Sequence, residues 1–173
     1  MSSTYSRYVA DANGDVALTF AKWQILINDE DITSGETSTI DITPVIVEND
    51  NVAAGKLAPS SVGYYDIEID ASNVETSFDM HIELDNDDMA DLKISSYTID
   101  DGEEVDIEDG EIEASFDYAD YDDGFGVITI RIYFEWYDTA DNEMDDEDDS
   151  SYVNSNDGVT ITTRLSFEQK LAS

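Results

Sequence analysis

Apolar and polar residues alternate with period two along most of this chain, and apolar positions at helical spacing are hard to find. The clearest run is 127–136, where Val127, Ile128, Ile130, Ile132, Phe134 and Trp136 supply the β-branched and aromatic content of a pleated, half-buried surface. It predicts a central strand. A second run, 159–168, places Val159, Ile161, Thr163, Leu165 and Phe167 on one face. Upstream, 64–70 and 78–84 alternate apolar with acidic or polar residues, as strands with one wet face do, and the linker Ala71-Ser72-Asn73 suits a connection between antiparallel neighbours. Runs at 15–21, 23–28, 92–99, 105–107 and 112–116 bring the total to around ten short strands.

Turn signals punctuate these runs at Asn13-Gly14, Ser34-Gly35, Ala54-Gly55, Asp101-Gly102, Asp123-Gly124 and Asp157-Gly158. Asp109-Gly110 reads as a hairpin turn between 105–107 and 112–116. Strand after strand without intervening helices predicts an all-β fold, a jelly-roll-like antiparallel β-sandwich in a single domain. The sandwich is expected over 13–173, with an acidic loop at 138–151, and residues 1–12 precede it as a separate N-terminal segment. Within that segment Thr4, Tyr5, Arg7, Tyr8, Val9 and Ala10 are apolar enough to pair as a strand, either folded back or added to another molecule.

Composition changes the picture through charge. The chain has 43 Asp and Glu against 7 Lys and Arg in 173 residues, a formal net charge of -36. Hydrophobic residues still make up 40%, enough for a packed core and unlike a disordered acidic tail. Nucleic acid is excluded as a partner, because a phosphate backbone needs a cationic footprint and Arg7, Arg131 and Arg164 stand far apart among acids. An anionic membrane surface is disfavoured for the same reason, and no segment has the length of apolar sequence a spanning helix needs. Cations are the expected counterpart; the plainer alternative is that the acidic carpet serves solubility alone.

Candidate chemistry is thin. Cysteine is missing, and His81 is the single histidine, so neither a nucleophilic triad nor a His-Glu-x-x-His zinc site can be written. Period two sets His81 on the face opposite Met80 and Ile82, a solvated strand position. Gly124-Phe125-Gly126 leads into a strand, where a phosphate loop would lead into a helix. Carboxylates are too numerous for any pair to stand out as an acid/base dyad. No cofactor is required. Calcium is a candidate ligand, because it takes six to eight oxygens and two acidic loops offer them: Asp141, Glu143, Asp145 and Asp146 in one, Asp120, Asp122 and Asp123 in the other.

A family resemblance rests on Gly14-Asp15-Val16-Ala17, Ala21-Lys22-Trp23, 28–32, Asn51-Val52-Ala53 and, most specifically, Ala58-Pro59-Ser60-Ser61 followed by Gly63, Tyr64, Asp66, Ile69 and Asp70. Residues 129–136, Met144-Asp145-Asp146-Glu147 and Ser166-Phe167-Glu168-Gln169 extend it. In these positions the chain resembles the camelysin and TasA-like secreted fibre-forming proteins of Gram-positive bacteria. The resemblance implies a jelly roll exported to the cell exterior, a mature chain starting near Ser2 or Ser3, and an N-terminal segment inserted into a neighbour as a donor strand. That group is often catalogued with metallopeptidases; the missing ligands argue against peptidase chemistry here. The expected function is therefore a non-enzymatic subunit of a biofilm-matrix or surface filament, a homopolymer. The alternative is a monomeric secreted calcium-binding or adhesive sandwich that folds its first strand back.

Overall fold

The computed structural model describes residues 19, 21–33, 42–86, 92–136 and 161–170. Their alternating sequences form antiparallel strands with one face buried. β4 (Val62–Asp70) and β9 (Val127–Trp136) pair along their whole length, from Val62 opposite Glu135 to Asp70 opposite Val127. β6 (Leu92–Ile99) lies on the far side of β9, with a register shift between Ile94 and Ser96 that takes up one extra residue. β1 (Leu26–Ile27) and β3 (Val45–Ile46) share the other side of β4, one near each end. Two-residue strands close both margins of this seven-stranded sheet: β2 (Glu30–Asp31) beside β1 and β7 (Val105–Asp106) beside β6. At Gly63 a Cβ would stand 2.7 Å from Phe134 Cε2 and 2.9 Å from the Val45 carbonyl oxygen, so the missing side chain lets Phe134 and β3 close over β4.

The second sheet has three strands in the order β10 (Thr162–Gln169), β5 (Phe78–Asp85), β8 (Glu111–Phe116). One core fills the space between the sheets, with Ile67, Ile69, Ile128, Ile130 and Ile132 from the first meeting Phe78, Met80, Ile82 and Ile112 from the second. Tyr65 crosses the gap to hydrogen-bond Thr163 Oγ1 at 2.9 Å, and burial pushes its phenol up to about 12. The all-β antiparallel sandwich expected from the sequence is what the chain forms. No helix among the described residues is long and apolar enough to cross a membrane.

Two expected connections are corrected. β4 and β5 are not sheet neighbours: Ala71 and Val74 of the linker are buried, at 0% and 1% exposure, and carry the chain from one sheet to the other. Likewise Asp109 and Gly110 do form a tight turn, both with positive φ, bridged by Glu108 and Glu111. It does not pair β7 with β8. β7 stays on β6 while the turn is held against β5 by a hydrogen bond from Leu84 N–H to the Gly110 carbonyl, 2.8 Å, so β8 joins the second sheet. The run at 23–28 also ends early, because Asn28 and Asp29 adopt positive φ and turn β1 into β2.

Candidate functional site

Period two along β5, β8 and β10 sends Asp79, His81, Glu83, Glu111, Glu113, Ser115, Arg164, Ser166 and Glu168 outward from the three-stranded sheet. The register sets Glu113 and Ser166 on either side of His81, and Glu111 and Arg164 on either side of Glu83. Asp79, His81, Glu113, Ser115, Ser166 and Glu168 line an open groove of about 490 Å³ there. At one end Lys170 Nζ donates to Asp117 at 2.7 Å and lies 3.6 Å from Asp79, and the Asp117 carboxylate raises the ammonium pKa. Toward the other end, His81, Glu83 and Glu111 bring one ligand atom each to within 4.8 Å of one another.

His81 has the orientation its sequence position implies, with Met80 and Ile82 buried beneath it at 1% and 0% exposure. Its surroundings were not legible. The Nε2 atom is covered yet makes no hydrogen bond, and it sits 4.0 Å from Glu111 Oε1. The only sequence signal was the Glu-x-Glu-like alternation of β8 and β5; which acid meets the imidazole depends on a register between strands about thirty residues apart.

Of the expected calcium ligands, Asp120, Asp122 and Asp123 are exposed around a short 3₁₀ turn (Tyr118–Asp120), and the structure does not gather them into a three-carboxylate group. That loop is held by aromatic packing. Phe125 is buried against Phe78, with ring centroids 5.0 Å apart, and Tyr118 and Tyr121 pack on Phe125 at 5.5 and 4.8 Å. Burial and the neighbouring charges of Asp100 and Asp120 raise the Tyr121 pKa. Asp141, Glu143, Asp145 and Asp146, like the assembly residues Thr4, Tyr5, Arg7, Tyr8, Val9 and Ala10, lie outside the described residues.

On the outer face of the larger sheet, Arg131 Nε and Nη2 donate to the two Asp66 carboxylate oxygens at 2.7 and 2.9 Å, and the guanidinium lies 4.2 Å from the Tyr64 ring centroid. Asp66 holds the arginine pKa above its ordinary value. One of the chain's few cations is thereby committed within the protein.

The strand margins differ in how well they are covered. β8 buries its inward residues Ile112 and Phe116 at 1% and 5% exposure. On β10 the inward residues Thr163, Leu165 and Phe167 are all only half-buried, and no described residue pairs with its outer edge. No protein-family model, curated protein or solved structure matches this chain.

Proposed function

We propose that this protein is a structural subunit of an extracellular filament, exported to the cell surface or biofilm matrix, which assembles head to tail when the N-terminal segment of one copy adds to the β10 edge of the next. The observation that carries the reading is the eight-residue β10 edge, with the half-covered apolar side chains of Leu165 and Phe167 beneath it. An added strand gains main-chain hydrogen bonds and covers such side chains. The two-residue margins of the larger sheet offer far less to pair with. Tyr5 and Val9 share one face of an extended segment and suit an apolar slot. Such a contact is heterologous and does not close on itself, so it propagates.

A synthetic peptide of residues 2–10, added to the protein lacking that segment, is expected to shift backbone amide resonances of β10 first. Shifts confined to β2, β7 or β8 would refute the assigned edge.

Charge sets the conditions. Subunits carrying -36 repel one another, and screening over a Debye length of about 10 Å at 0.1 M salt removes most of that penalty. Raising monovalent salt from about 0.02 M to about 0.5 M is expected to stabilise the fold by at least about 1 kcal/mol, seen as a Tm increase of about 2–4 °C. It is also expected to lower the concentration at which filaments appear. A Tm that stays flat in thermal melts across this range would contradict the electrostatic argument, and a calcium response far beyond that of equal ionic strength would favour the monomeric calcium-binding alternative.

A further inference from the structure

We infer that the outer face of the three-stranded sheet holds a site for one first-row transition-metal ion, zinc being the ordinary occupant, with His81, Glu83 and Glu111 as its ligands. The inference is independent of filament assembly.

Three observations converge on it. First, the ligand atoms already stand within 4.8 Å of one another. Around a zinc ion with bonds of about 2.0–2.2 Å, tetrahedral ligand atoms lie roughly 3.3 Å apart, so the set must close by roughly 1.5 Å or less. Side-chain rotation can supply that, since the Glu83 and Glu111 side chains are 51% and 56% exposed. Second, the His81 Nε2 atom is covered, has no hydrogen-bond partner and faces the Glu111 carboxylate at 4.0 Å. Third, Glu83 and Glu111 are cross-strand partners, and two like charges directly opposite one another destabilise an antiparallel pair. An ion between them reverses the sign of that interaction and staples β5 to β8 beside the Asp109-Gly110 turn.

The donor set selects the metal. One imidazole with two carboxylates suits zinc, nickel or copper, whereas calcium requires six to eight oxygens. Water completes the coordination sphere. Arg164 competes for Glu83 at 4.0 Å, but the arginine is 63% exposed and so loose a surface pair is weak.

Zinc titrated into the full chain in millimolar calcium, which occupies the diffuse acidic surface, tests the site. Because His81 is the only histidine, its ring nitrogens can be read without ambiguity by long-range proton–nitrogen NMR. Zinc is expected to shift the Nε2 resonance and to saturate at one ion per chain. Glu111→Gln is expected to weaken zinc binding about tenfold or more, while Glu168→Gln, the same charge change elsewhere on the same face, leaves it within about twofold. An Nε2 resonance that ignores zinc, or equal weakening by both variants, would overturn the assignment in favour of diffuse counterion attraction. All these substitutions are at exposed positions, and circular dichroism of each variant verifies the fold.

Discussion

Protein lacking residues 2–10 is expected to stay folded and monomeric under conditions where the full chain forms filaments. On the donor-strand proposal the segment acts only between molecules, so its removal is expected to leave the core of Ile67, Ile130, Phe78 and Ile82 intact and the Tm within about 2 °C of the full chain. A short donor strand that forms about three to four main-chain hydrogen bonds at about 1 kcal/mol each contributes about 3–4 kcal/mol. Losing that raises the critical concentration by roughly 10²- to 10³-fold, beyond ordinary working concentrations. Sedimentation velocity and electron microscopy read the outcome, and added peptide of the same segment should shorten filaments of the full chain by capping them. Unchanged filaments from the truncated protein would rule out donor-strand assembly. A full-length protein that stays monomeric at every salt concentration, with a truncated form of clearly lower Tm, would instead mean that the segment folds back onto its own sheet. The two readings thus predict opposite changes in stability and in association.

The strands themselves were legible because alternation is a local property. Residues 92–99 and 127–136 form strands with those bounds, and 64–70 and 78–84 extend by one or two residues. Pairing was not legible, since it depends on which sheet each connection enters. The Ala71–Val74 linker looks like polar turn material at Ser72 and Asn73, yet its two apolar members are what the core captures. Gly124-Phe125-Gly126 reads in the sequence as a turn leading into a strand, and the anchor that Phe125 provides for Tyr118, Tyr121 and Phe78 needs contacts across elements that no spacing rule encodes. For the same reason His81 looked like an isolated solvated histidine. The acid it meets, Glu111, is brought alongside by the β5–β8 register, and that register follows from the inward placement of Ile82 opposite Ile112 and of Phe78 opposite Phe116.

Phe78→Ala is expected to cause the largest loss of stability of any single core truncation at the base of this sheet. The ring is 0% exposed and stacks on Phe116 at 5.0 Å, meets Phe125 edge-on at 5.0 Å, and touches Trp23 and Phe167 at 6.1 Å each. It therefore joins β8, β10, the loop at 117–126 and the segment leading into β1, and its neighbours are rigid rings that cannot collapse into the space it leaves. Such a truncation costs about 3–5 kcal/mol through lost transfer energy plus cavity. Against a total of about 5–15 kcal/mol, that is roughly a fifth or more of the fold's stability for a typical domain. At this chain length the Tm should fall by about 6–20 °C. Phe167→Ala removes the same group from a half-buried margin and is expected to cost less than half as much, because water already reaches part of that ring. The pair should be compared in high salt, where self-repulsion of the acidic surface is screened and both variants remain folded at the start of the melt. Equal losses would mean that β10 is covered by parts of the chain outside the described residues, which would also remove the open edge on which filament assembly rests.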